Sequence, residues 1–125
     1  MYDIETNIFD NNLPRKSQII IAQLRIGFSD LNAHLYNKGC TNVPSCECGY
    51  IREDIRHFML LCPLYNILRQ NMLANLSHLN LNVPITLKLI LYGNSHRLSS
   101  EQNCNILKHV SHFLLESNRF LNYIH

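Results

Sequence analysis

The sequence is short of charge, of helix breakers and of long apolar runs, and each shortage removes a class of explanation. Charged residues make up 16% of the chain, with eleven Lys and Arg against nine Asp and Glu. A net charge of +2 is too small for a free-standing nucleic-acid binder, for which a strongly basic face is expected. Such binding would rest on local clustering or on a larger parent protein. No stretch approaches the roughly 18 consecutive apolar residues of a membrane span. The opening MYDIETNIFDNN carries acids and amides where a secretory leader has a basic and then an apolar segment. The expectation is an intracellular protein, nuclear or cytoplasmic, with neither a membrane nor a small-molecule substrate among its partners.

Four Gly and four Pro in 125 residues leave room for helices, and helical periodicity runs through the chain with no convincing strand pair. After a flexible lead-in at residues 1–13, one domain over 14–125 is expected. Pro14 is placed to open a first helix that Gly27 stops, although Ile19, Ile20 and Ile21 are β-branched and allow a short strand. Ser29 is placed to cap a second helix with Leu31 and Leu35 on one face, ending at Gly39. Glu53 and Asp54 suit the positive end of a third, with Ile55, Phe58 and Met59 inward and Pro63 as its stop. Leu64, Ile67, Leu68, Met72 and Leu76 repeat at helical spacing. Pro84 opens a short helix with Leu87, Ile90 and Leu91 inward and Gly93 behind it. Ser99 and Gln102 form a capping box for a long last helix carrying Ile106, Val110, Phe113, Leu114, Phe120, Leu121 and Ile124.

What is abundant is cysteine and histidine in one place: SCECGYIREDIRHFMLLCP, residues 45–63. The order is Cys46, Cys48, His57, Cys62. Structural zinc takes four nitrogen or sulfur ligands in a tetrahedron, and reduced intracellular thiols favour metal over disulfide. Cys46 and Cys48 approach from a tight turn that Gly49 permits. His57 and Cys62 stand about 140° apart on a regular helix, too far to share an ion. Pro63 answers this by forcing Cys62 out of helical geometry, so that the chain can deliver its sulfur.

The competing reading is a buried core cysteine beside a stray histidine, since free cysteine is among the most buried residue types. Against it, Cys46 and Cys48 sit in a polar turn. Cys40 is a rival ligand or a packed core residue, with packing preferred. Cys104, on the last helix, has no assigned role. His109 and His112 form an i,i+3 pair whose simpler reading is packing or surface. Four good ligands leave no open position for water, so one Zn2+ of structural rather than catalytic type is implied. Three thiolates and one dication sum to −1. The fold expectation is therefore all-α: a small domain of about five or six helices around a central CCHC zinc knuckle.

LRIGFSDLNAHLYNKG followed by PSCECGYIREDIRHFMLLCPLYNILRQNML resembles the C-terminal zinc-knuckle region of non-LTR (LINE-type) retrotransposon reverse transcriptases. The matching positions are Leu24, Arg25 and Gly27; Leu31, His34 and Leu35; Cys46, Cys48 and Gly49; Glu53 and Asp54; His57; Cys62 and Pro63; Tyr65 and Arg69. LILYGN and VSHFLLESNRF are similar to the tails of such reading frames. The resemblance spans residues 17–121 and implies a non-catalytic accessory region that grips RNA or DNA beside the polymerase portion of its parent. The polymerase itself is missing: Asp3, Asp10, Asp30 and Asp54 never form the adjacent pair that holds two magnesium ions. Nucleic-acid contacts would come from Arg15, Lys16, Arg52, Arg56 and Arg69, with Tyr50 stacking on a base. The alternative is a structural or protein-interaction module, or an inert remnant, in which zinc only fastens helices.

Overall fold

A computed structural model describes residues 12–120. Most of the lead-in assigned to 1–13, and Leu121 and Ile124 of the last helix, lie outside the described residues. Within them the chain is all-helical, with no strand. The elements are α1 (Arg15–Ile26), α2 (Asn32–Asn37), a π-helical turn (His57–Leu61), a 3-10 turn (Pro63–Tyr65), α3 (Asn66–Ser77), α4 (Leu87–Tyr92) and α5 (Ser100–Glu116). The three consecutive isoleucines are helical, so the neighbouring residues outweigh β-branching there.

α5 is the axis on which α1, α3 and α4 pack. Its capping box forms in full: Gln102 N–H donates to Ser99 Oγ at 3.1 Å and Ser99 N–H to Gln102 Oε1 at 2.8 Å. Ile106, Leu107, Val110, Phe113 and Leu114 are buried along it. Phe58 stands edge-on to Phe120 (5.3 Å) and Tyr65 (5.0 Å) and tilted against Phe113 (5.6 Å), so this ring, with the buried Met59 beside it, joins the knuckle region to the core. Where α1 meets α5, Ser111 and Ser17 hydrogen-bond in the interior; small hydroxylated residues let the backbones approach.

Several boundaries differ from the periodic reading. α5 stops at Glu116, and Ser117 Oγ accepts the Arg119 N–H (3.2 Å) as the chain turns. α4 is capped by Thr86, whose Oγ1 accepts the Leu89 N–H, rather than opened by Pro84. Leu64 (55% exposed) and Ile67 (75%) face outward, and Arg69 occupies the buried face of α3 instead. Ser29 does not cap α2. Its hydroxyl accepts the Leu31 N–H (3.1 Å) and lies 2.6 Å from His34 Nδ1, which also accepts the Ser29 N–H. Accepting from that N–H requires an unprotonated Nδ1, hence a neutral imidazole. Burial lowers the His34 pKa below its ordinary 6.5, and Lys38 and Arg52 push the same way against Asp54 and Glu53.

The LRIG and LYGN segments meet. Arg25 Nε donates to the Leu91 carbonyl (2.6 Å) and Tyr92 Oη to the Arg25 carbonyl (3.2 Å). Gly93 follows at φ 69°, ψ −159°, a region essentially closed to side chains. A Cβ there would lie 2.4 Å from Asn103 Oδ1. Buried Asn103 in turn accepts the Asn94 N–H and donates to the carbonyls of Asn94, Leu98 and Ser99.

Gly93→Ala should cost about 3 kcal/mol or more, from backbone strain plus displacement of Asn103, read by denaturant unfolding. His34 should make stability fall with acid. Its native pKa is depressed, so its contribution is complete above pH 6.5 and is lost as pH falls towards the native value. His34→Asn keeps an acceptor for Ser29 without titrating, and should show the smaller loss between about pH 7.5 and 5.

Candidate metal centre

The first two donors come from a closed turn. Cys46 N–H donates to the Tyr50 carbonyl (2.9 Å) and Gly49 N–H to the Cys46 carbonyl (3.0 Å), while Glu53 N–H reaches back to Pro44 (2.7 Å). Gly49 has φ 101°, which is why glycine stands there. This folding turns both sulfurs to one side.

The second pair arises from a turn that periodicity does not reveal. Cys62 N–H bonds to the His57 carbonyl at 2.7 Å, an i→i+5 bond of a π-helical turn. The wider turn sets His57 and Cys62 one turn apart on one side, instead of about 140° apart as on a regular α-helix. Cys62 itself is extended (φ −62°, ψ 123°) ahead of Pro63, as the proline demands. Two devices act together where the spacing suggested one. Asp54 Oδ1 accepts the His57 N–H (2.8 Å) at the start of the turn.

The four ligand atoms lie within 4.8 Å of one another. Cys46 Sγ and Cys62 Sγ are 3.7 Å apart, and Cys48 Sγ is 3.3 Å from His57 Nε2. Zinc bond lengths in a regular tetrahedron imply ligand separations of about 3.5–3.8 Å, so the donor set fits that ion. Burial pushes the Cys46 thiol up to about 12 and raises Cys62 as well. Cys48 is lowered, chiefly by the Tyr50 N–H. Thiolates at the buried Cys46 and Cys62 need a compensating cation, and a divalent metal would supply one. His57 stacks flat on Tyr50, centroids 4.4 Å apart and planes 5° from parallel. Its buried Nδ1 has no hydrogen-bond partner among the described residues, so the ring is held by the stack and by the Cys48 contact at Nε2.

Glu53 does not serve the dipole of the following helix. It is 3% exposed. Its Oε1 accepts the Asn32 N–H (2.8 Å) and its carbonyl the Ala33 N–H (3.0 Å), which caps α2 from a distant part of the chain. Arg119 grips the same carboxylate through Nε (2.9 Å) and Nη2 (2.6 Å) and also reaches the Asp30 carbonyl. This pair ties the knuckle turn to α2 and to the end of α5. Arg119 lay in the SNRF segment without a role; only its place in that segment pointed to it.

The expected nucleic-acid contacts are dispersed. Arg15 and Arg56 are exposed, Lys16 and Arg52 half-buried, and Tyr50 is exposed with one face on His57. Arg69 departs from expectation. It is 4% exposed, and donates from Nε to the Met59 carbonyl and from Nη2 to the Phe58 carbonyl, both at 3.0 Å. Cys40 does not pack into the core as the sequence suggests: it is exposed and stands outside the cluster. Cys104 packs partly buried against the core. His109 and His112 join no metal-sized group among the described residues.

Arg119→Ala leaves the Glu53 carboxylate buried and half-satisfied, and should cost about 2–4 kcal/mol in chemical denaturation. Glu53→Gln, which keeps an acceptor for Asn32, should cost less.

No protein-family model matches the chain, and no solved structure matches it. A stretch of 43 residues is 42% identical to the "Retrovirus-related Pol polyprotein from type-1 retrotransposable element R1" of Bradysia coprophila. The similarity covers 34% of this chain and 4% of that polyprotein. The chain is therefore similar to a small part of a retrotransposon polyprotein, and it carries a Cys/His group able to hold a metal ion.

Proposed function

We propose that this chain is a non-catalytic, zinc-holding accessory region of the kind found at the C-terminal end of retrotransposon reverse transcriptases, folding as one unit over residues 14–125. Convergence of Cys46, Cys48, His57 and Cys62 within 4.8 Å carries the reading, and the partial likeness to a retrotransposon polyprotein supports it. These four side chains would hold one Zn2+, which supplies cross-linking rather than chemistry because they fill a tetrahedron without an open position. The region acts inside the cell, in nucleus or cytoplasm, gripping RNA or DNA beside the polymerase portion of its parent. Arg52 and Arg56 next to the knuckle and Arg15 and Lys16 at the start of α1 would meet phosphates, and the outer face of Tyr50 would meet a base.

A second reading, a protein-interaction module, is favoured by one observation. Leu61, Leu64 and Ile67 are 53%, 55% and 75% exposed beside the knuckle, an apolar group suited to the polymerase portion.

Native mass spectrometry should find one zinc per chain, and a chelator should remove it with substantial loss of helical circular dichroism. Cys48→Ser should reproduce the chelator's effect and Cys104→Ser should not. No metal uptake by the folded wild type would end the metal reading. Affinity for single-stranded RNA should fall steeply with salt. Flat, weak binding would favour the second reading, as would self-association in light scattering.

A further inference from the structure

We infer that Arg69 is the counter-ion and positioning residue of the metal centre, an inference that rests on the proposed zinc site. Two independent observations lead to it.

The first concerns backbone bookkeeping at the bend. The π turn uses the Cys62 N–H on the His57 carbonyl, so the Phe58 carbonyl loses its regular α-helical donor. The next N–H along belongs to residue 63, which is proline and has none. The residue that lets Cys62 leave the helix therefore orphans the carbonyls behind it, at a buried place where unpaired backbone groups are costly. Arg69 fills the gap from the next helix, with one nitrogen on Phe58 and another on Met59. It holds the His57–Cys62 turn open from outside the ligand set.

The second concerns charge. A guanidinium is always protonated, and Arg69 is 4% exposed with only neutral carbonyls as hydrogen-bond partners among the described residues. No carboxylate there lies within ion-pair distance of it. An isolated buried cation is strongly disfavoured. The missing negative charge is next door: three thiolates and one Zn2+ sum to −1, on the turn whose carbonyls Arg69 holds. The two unit charges cancel inside the protein. A CCHC ligand set suits this environment because it is the mono-anionic one, whereas two cysteines and two histidines would leave Arg69 uncompensated.

Competition titrations with Zn2+ and Co2+ on the whole chain test this, with the Co2+ d–d and thiolate-to-cobalt bands reporting ligand geometry. Arg69→Gln keeps donors for the carbonyls but removes the charge. It should weaken metal binding by about 10–100-fold, the effect usual for outer-shell partners, while Arg69→Lys, which keeps the charge, should lose less than about tenfold. Adding Cys48→His, which makes the ligand set neutral, should shrink the Arg69→Gln penalty. Wild-type affinity in a folded Arg69→Gln overturns the inference. If Arg69→Gln does not fold, Arg69→Lys decides: a loss of about tenfold or more overturns the counter-ion role, and a smaller one supports it. Failure of the wild type to bind either metal would instead sink the zinc reading itself.

Discussion

The structure depends on one local distortion: five residues, His57 to Leu61, wound as a π turn and cut off by Pro63. A regular helix would carry His57 and Cys62 to different sides. The wide turn and the extended Cys62 bring both to the same point as the Cys46–Gly49 turn. The same segment also supplies Phe58, whose ring sits among Tyr65, Phe113 and Phe120. Donor placement and core packing are therefore one event: moving the turn moves both.

Around that turn, polar groups are settled by residues far away in sequence. Arg69 takes the carbonyls that Pro63 orphans, and Glu53 caps α2 while Arg119 closes over it. Arg25 takes a carbonyl near the end of α4, and Gly93 makes room for Asn103. Most of the segments that stand out in the sequence are thus paired with one another. LRIG meets LYGN, Glu53 of the acidic pair meets SNRF through Arg119, and the arginine after Cys-Pro serves the bend before it. Their presence together in this chain has a mechanical reason independent of any ligand.

That pairing separates the two proposed roles of the basic residues. Arg25, Arg69 and Arg119 are committed inside the fold, whereas Arg15 and Arg56 are exposed. Under the proposed function, nucleic-acid contact would fall to that second group, to the half-buried Lys16 and Arg52, and to the outer face of Tyr50. Leu61, Leu64 and Ile67, like Ile51 in the knuckle itself, are exposed apolar side chains near the site.

The all-α class, the α5 capping box and the stop at Gly27 were legible in the chain itself, because each depends on residues within a few positions of one another. The four converging side chains were legible too, since ligand chemistry restricts spacing and Pro63 announces a bend. Four things were not: the π turn, the inward Arg69, the Glu53–Arg119 pair and the end of α5 at Glu116. An amphipathic pattern weighs leucine above arginine, and so it placed Leu64 and Ile67 inside and Arg69 outside. In the folded chain the order reverses, because carbonyls without donors at a proline bend need a long cation more than the core needs another leucine. Local periodicity cannot register a demand made by a backbone ten residues away; only packing the elements together reveals which polar groups each one leaves for another to satisfy.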